Sequence, residues 1–124
     1  MTQLMPAPIT LKGYAIYNTK TGLWSKGGTG PSWKKNAKIW SAMNHLKNHL
    51  VMFVHAQYPS KYSNNGLTNN RFFISNVYKD CVVVDVTTGQ ALEGFDIYDY
   101  MRDYVKRQQE KSNYYAAYDV YEEP

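Results

Sequence analysis

The sequence predicts a small α+β domain in which a twisted antiparallel sheet carries two helices packed on one face. Three observations support this class. Short segments rich in β-branched and aromatic residues alternate with turn residues, two longer segments have helical periodicity, and 124 residues suffice for one domain. A hydrophobic fraction of 44% and a charged fraction of 19% are typical of a globular protein. We expect a single domain over residues 1–124, with an irregular arm at 1–12 and an acidic, tyrosine-rich tail at 112–124.

The first predicted element is a β-hairpin formed by Tyr14–Tyr17 and Leu23–Ser25. Its loop begins at Asn18 and ends with a glycine, and both residue types suit the left-handed backbone of a hairpin loop. A glycine-rich turn at 26–31 follows. Lys38–Trp40 is predicted to form a third short strand.

Two segments have the periodicity of amphipathic helices. The first runs from Ala42 to about Gln57, with Ser41 as its N-cap and apolar residues at spacings of three and four. The second begins at its N-cap, Asp96, and ends near Lys111. Its early turns are acidic and its last turns basic, which matches the helix dipole.

The remaining strands are predicted after a long loop at 59–70, which is rich in Ser, Asn and Gly. Phe72–Tyr78 and Cys81–Val86 are predicted to be strands. The second is nearly all β-branched, which is typical of a buried, central strand. A turn at 87–90 and a brief strand at 91–95 complete the predicted sheet.

Charge is strongly segregated along the chain. Residues 1–79 contain ten Lys and Arg and no Asp or Glu, whereas residues 80–124 contain all ten acids and four bases, so +10 and −6 give the total of +4. This asymmetry favours an anionic partner for the basic part, electrostatic pairing of the basic part with the acidic part within or between molecules, or both. The alternative is that folding mixes the two parts and leaves no large patch. Because no carboxylate precedes Asp80, residues 1–79 cannot alone supply a carboxylate acid–base pair or an oxygen-ligand metal site.

Three short motifs follow one another between residues 14 and 50. They are N-T-K-T-G-L-W-S-K-G-G at 18–28, K-I-W at 38–40 and L-K-N-H-L at 46–50. In this order they resemble small accessory proteins of tailed bacteriophages, although Ala37 stands where that pattern has Gly. The resemblance implies a phage origin and a role in host takeover or counter-defence, in the host cytoplasm. It implies no catalytic residue.

Lysines and aromatic residues are interleaved in the basic part of the chain. Lysines neutralise phosphates, and exposed aromatic faces stack on unpaired bases. The predicted nucleic-acid contacts are Lys26, Lys34, Lys35, Lys38, Trp24 and Trp33. Arg71 is the only arginine before Asp80, which favours shape or backbone contacts over base-specific recognition. The first hypothesis is therefore a non-catalytic protein that binds nucleic acid or a nucleoprotein machine.

The acidic part is rich in tyrosine, which is favoured at protein interfaces. We predict that Tyr114, Tyr118 and Tyr121, at helical spacing, form a protein interface. With loop 59–70, this surface supports a second hypothesis, a protein inhibitor of a host enzyme. A third hypothesis is a homo-oligomer that pairs the basic and acidic parts head to tail. Alternatively, the tail folds back on the protein's own lysines, or its last ten residues are frayed.

Other motifs do not predict a catalytic, metal or cofactor site. The loop at 27–30 lacks the spacing and the terminal Lys-Ser/Thr of a P-loop. His45 and His49 have the spacing of a metal-binding pair but no acid or Cys close in sequence. A single cysteine, Cys81, excludes an internal disulfide. The longest uncharged apolar run, Leu50–Val54, is too short to cross a bilayer, so we expect a soluble protein with no membrane partner. From the motifs above we expect no metal and no cofactor.

Overall fold

The computed structural model describes residues 12–30, 32–57, 71–111 and 119–123. Within these ranges the chain forms two sheets and two α-helices, so the predicted α+β class is confirmed. In chain order the elements are β1 (Tyr14–Asn18), β2 (Trp24–Ser25), β3 (Trp33–Lys34), α1 (Met43–Val51), β4 (Val54–Gln57), β5 (Arg71–Ile74), a 3₁₀ turn (Asn76–Tyr78), β6 (Cys81–Asp85), β7 (Gln90–Ala91), α2 (Ile97–Lys111) and β8 (Asp119–Glu122). The predicted loop at 59–70 and most of the predicted arm at 1–12 lie outside the described residues.

The larger sheet has five antiparallel strands in the order β3-β2-β1-β6-β7. β1 and β6 pair along their full length, with Ala15 opposite Val84. The β-branched strand β6 is thus an interior strand, as predicted. The smaller sheet has the order β4-β5-β8, and in it β5 runs antiparallel to β4 and parallel to β8.

Two elements follow local signals in the sequence. In the β1–β2 loop, the Asn18 side chain accepts hydrogen bonds from the backbone N–H groups of Lys20 (2.9 Å) and Thr21 (3.0 Å), and Gly22 has a φ of +74°. At the start of α2, Asp96 Oδ1 accepts a hydrogen bond from Asp99 N at 2.9 Å. The predicted hairpin and the predicted second helix are therefore confirmed.

The first helix is shorter than predicted. α1 ends at Val51, its N-cap is Ala42 rather than Ser41, and that cap makes no side-chain hydrogen bond. The chain continues into β4, where Val54 lies opposite Ile74 of β5. The apolar residues after Val51 fit a strand as well as a helix, and pairing with β5 decides the outcome.

Three further predictions are corrected. The third strand is Trp33–Lys34, whereas Trp40 of the predicted strand forms only an isolated bridge to Tyr14. The strand predicted at 72–78 ends at Ile74, and the Ser75 side chain then caps the 3₁₀ turn. The brief strand predicted at 91–95 is shorter and begins one residue earlier, as β7.

The main core lies on one face of the larger sheet. Ile16 and Val83 on that face pack with buried residues of both helices and of β5, including Leu50 and Met101. A smaller cluster lies on the other face: its buried members are Ala15, Trp24, Val84 and Val86, and Ala37 and Ile39 pack against it. Both helices therefore cover the same face of the sheet, as predicted. Neither helix within the described ranges combines the length and apolar character needed to span a membrane.

Candidate nucleic-acid interface

The predicted lysines lie at one edge of the larger sheet. Lys26 follows β2, Lys34 belongs to β3, and Lys35 and Lys38 follow β3; all four are exposed. The backbone holds them together, because Lys26 N donates a hydrogen bond to Ser32 O and Lys38 N donates one to Ser25 O, both at 3.0 Å. We call Lys26, Lys34, Lys35 and Lys38 the basic edge.

Carboxylates lie on other elements. Asp85 is the only acidic residue in the strands of the larger sheet, and its Oδ1 accepts a hydrogen bond from Thr87 N at 2.9 Å. Among the described residues, no ion pair includes a lysine of the basic edge. The ion pairs found there are Arg102–Asp99, Arg102–Glu122 and Arg107–Asp103, all on α2 and β8. The segregation of charge along the sequence thus persists at this edge of the folded chain.

Neither of the two tryptophans of the predicted interface is fully exposed. Trp24 is only 7% exposed, and its ring packs on Tyr17 with a centroid distance of 4.6 Å. Its prediction as a base-stacking residue is corrected, because the side chain belongs to the smaller core cluster. Trp33 is half-buried and makes an edge contact with Tyr78 at 5.8 Å.

The predicted tyrosine interface falls largely outside the described residues. Tyr114 and Tyr118 are not among them. Tyr121 belongs to β8, where its backbone lies opposite Phe73 of β5. The described end of the tail is therefore a paired strand, and the expectation that the last ten residues fray is wrong for residues 119–122.

A buried chain of hydrogen bonds lies beneath the basic edge and was not predicted from the sequence. Ser25 Oγ and the Tyr78 hydroxyl are 2.9 Å apart, and the same hydroxyl is hydrogen-bonded to His49 Nε2. Gly27 N donates to Ser25 Oγ at 3.1 Å. The three side chains are 3%, 2% and 7% exposed, respectively. The polar residues of three separate segments thus satisfy one another inside the core.

Aromatic rings connect this chain of hydrogen bonds to the surface. The Trp40 ring lies 4.9 Å from the His49 ring, and Lys38 Nζ lies 5.5 Å from the Trp40 centroid. Gly27 has a φ of +74°, and a Cβ there would come within 2.5 Å of Lys38 Cδ. The glycine allows the Lys38 stem to pack closely against the turn.

Burial shifts the pKa values of two residues in this chain of hydrogen bonds, His49 and Tyr78. It lowers the pKa of His49 below 6.5, with a further contribution from the positive charge of Lys38, and it raises the pKa of Tyr78 to about 12. The hydroxyls of Ser25 and Tyr78 can each donate or accept, and Nε2 of neutral His49 donates or accepts according to its tautomer. Ser25 Oγ accepts a hydrogen bond from Gly27 N in either arrangement.

The stability of the fold should depend on pH through His49. Because its pKa is lower in the folded state than in the unfolded chain, the unfolded chain binds a proton more readily. The free energy of unfolding should therefore fall as the pH drops below 6.5, towards the folded-state pKa. Urea unfolding at about pH 7.5 and about pH 5 measures this. The His49→Gln variant should lose part of the difference, whereas replacement of the exposed His45 by Gln should retain it. An unchanged pH dependence in His49→Gln would contradict the assignment.

His45, His49 and Cys81 lie in different surroundings within the described part of the chain. His45 is exposed and lies near Ser41 Oγ (3.4 Å), whereas His49 Nε2 is engaged by Tyr78, so the two histidines do not share a ligand position. Burial raises the pKa of the Cys81 thiol to about 12, which keeps it protonated at neutral pH. Among the described residues, no group of three or more His, Cys, Asp or Glu could hold a metal ion.

A cavity of about 510 Å³ lies between α2, β8 and the segment after the 3₁₀ turn. Its lining carries five carboxylates, those of Asp80, Asp96, Asp99, Glu122 and Glu123. The same lining carries two cationic side chains, Lys79 and Arg102. This acidic cleft and the basic edge use different parts of the chain.

No protein-family model matches the sequence, and neither a curated protein nor a solved structure shows significant similarity to it.

Proposed function

We propose that this protein binds nucleic acid, free or within a nucleoprotein machine, through the basic edge, and that it acts by binding rather than by catalysis. The observation that carries the proposal is the grouping of four exposed lysines at one sheet edge, without an ion pair among the described residues. Ammonium groups that neutralise phosphates release condensed counterions, and this release supplies most of the affinity of a nonspecific complex.

The support beneath the lysines favours a preformed surface. Ser25 links β2 to Tyr78 through its side chain and to Lys38 through its backbone oxygen. Gly27 is held by the same serine. A surface whose backbone is already ordered loses less conformational freedom on binding than a disordered basic tail would.

A phage accessory protein acting in the host cytoplasm is the setting that we propose for this binding. Its support is the resemblance carried by the motifs at 18–28, 38–40 and 46–50. Each motif contributes one side chain to a connected group: Ser25 and His49 are hydrogen-bonded to Tyr78, and the Trp40 ring lies against the His49 ring. The likeness thus concerns residues that lie together in the fold.

The proposal is tested by the salt dependence of DNA binding. If the four lysines neutralise four phosphates, log K should fall with log [salt] with a slope of roughly −3.6, or ~0.9 per phosphate. Fluorescence anisotropy of a labelled DNA duplex of about 20 base pairs, titrated at several salt concentrations, measures this slope. An absence of binding at low salt would overturn the proposal.

Affinity purification from nuclease-treated host lysate separates the proposal from its alternatives. Partners that disappear on nuclease digestion support it. A single stoichiometric protein that resists digestion supports an enzyme inhibitor instead. Light scattering across a salt series detects the third possibility, a homo-oligomer held together by opposite charges.

A further inference from the structure

We infer that the basic edge takes the phosphate backbone of a nucleic-acid duplex, without base specificity, and not unpaired bases. This inference deepens the proposed function and rests on it. It depends on the contacts that the aromatic rings beside the lysines make, and on the placement of the arginines away from them.

The tryptophan rings beside the basic edge are buried in contacts inside the protein. Trp24 is 7% exposed and Trp40 is 6% exposed. Trp24 packs on Tyr17, and Trp40 contacts both Lys38 Nζ and the His49 ring. A base can stack only on a ring face that is open to solvent, so neither tryptophan offers a platform.

Trp33 is the remaining tryptophan of the predicted interface, and it is half-buried. Its ring meets Tyr78 edge to face, with an interplanar angle of 76°. In β3 it lies opposite Ser25, whose side chain belongs to the buried hydrogen-bond chain. Trp33 therefore faces the core side of the sheet, whereas alternation along β3 puts its neighbour Lys34 on the opposite side.

Lys34 and Lys26 lie on the side of the larger sheet opposite the helices, whereas Lys38 lies over Trp40 of the main core. Lys34 lies opposite Trp24, which faces the smaller core cluster. Alternation along β2 and its continuation puts Lys26 on the same side, and Lys26 is hydrogen-bonded across to Ser32. The strands of the larger sheet carry no carboxylate on this side, because Asp85 follows Val84 and points to the other one.

Arginines, which read bases by bidentate hydrogen bonds, are not part of this edge. Arg102 is bound to Asp99 and Glu122, and Arg107 is bound to Asp103. Arg71 belongs to β5 of the smaller sheet. Lysine contacts a phosphate as a point charge, which gives affinity without base discrimination. A duplex presents one charge per about 1.7 Å of its axis, so it offers this lysine cluster more phosphates than a single strand does.

A comparison of two probes tests the inference with the wild-type protein. The probes are a labelled duplex of about 20 base pairs and a labelled oligo(dT) of the same length, measured by anisotropy at one low salt concentration. We expect the duplex to bind about tenfold tighter or more. Duplexes of unrelated sequence should bind equally within about twofold.

Two variants sharpen the comparison. Replacement of Trp33 by Leu should leave the affinity for either probe within about twofold of wild type, since no base stacks there. The matched Lys34→Leu variant should weaken duplex binding and reduce the salt slope by about 0.9. Circular dichroism establishes that both variants are folded.

Each outcome decides the inference. Oligo(dT) binding as tightly as the duplex, or a loss of oligo(dT) affinity in Trp33→Leu, would overturn it and leave the proposed function intact. If neither probe binds, the result contradicts the proposed function itself. Tryptophan emission offers an independent readout that needs no variant, because base stacking would quench it and backbone binding should not.

Discussion

Replacing Lys34, Lys35 and Lys38 with glutamate should abolish retention of the protein on heparin and remove most of its affinity for DNA. The triple change reverses three of the four charges of the basic edge, which has no carboxylate partner among the described residues. The slope of log K against log [salt] should change from roughly −3.6 to about −0.9 or closer to zero, because at most one phosphate contact remains. Salt elution from heparin and anisotropy titrations measure both effects.

A matched comparison separates the basic edge from net charge. Lys34→Glu with Lys35→Glu changes the total charge as much as Lys79→Glu with Lys106→Glu does. All four side chains are exposed, but Lys79 and Lys106 lie on other elements. The first pair should lose DNA affinity and the second should retain most of it. Equal losses in the two pairs would mean that overall charge governs binding and that this edge does not.

Replacement of Tyr78 by alanine should be strongly destabilising. The side chain is 2% exposed, its ring contacts Trp33 and Phe53, and its hydroxyl is shared between Ser25 and His49. Removal of a large buried ring costs about 3–5 kcal/mol, a large part of a domain's stability. The midpoint of urea unfolding, followed by circular dichroism at neutral pH, measures the loss.

The Tyr78→Phe variant isolates the hydroxyl from the ring. It keeps the ring contacts and leaves the buried Ser25 and His49 without their common partner, which should cost about 1–3 kcal/mol. If Tyr78→Phe is as stable as the wild type, the hydrogen-bond chain does not stabilise the fold. The pH dependence attributed to His49 should also be smaller in this variant.

The parts of the fold that the sequence predicts are those with short-range signals. Asn18 and a glycine define the hairpin loop, and Asp96 defines the start of α2, since each acts on backbone within three or four residues. The interior position of β6 follows from its β-branched residues. Such signals are complete within one segment and do not require a distant partner.

The parts that the sequence could not predict depend on distant segments. β4 was predicted as helix because its register with β5 is invisible locally. The burial of Trp24 depends on which side of a two-residue strand faces the smaller core cluster. The hydrogen-bond chain needs Ser25, His49 and Tyr78 from three separate segments. The four lysines of the basic edge are exposed, and their charge alone accounts for that position.

The strand β8 has a consequence for synthesis on the ribosome. All strands of the larger sheet have been synthesised once Ala91 has been added, but the parallel partner of β5 comes only with Asp119–Glu122. Until then the nascent chain holds β5 with one of its edges uncovered, and an uncovered edge can recruit a strand from another molecule. Translation that stops before Asp119 should therefore yield aggregating fragments rather than a smaller working protein.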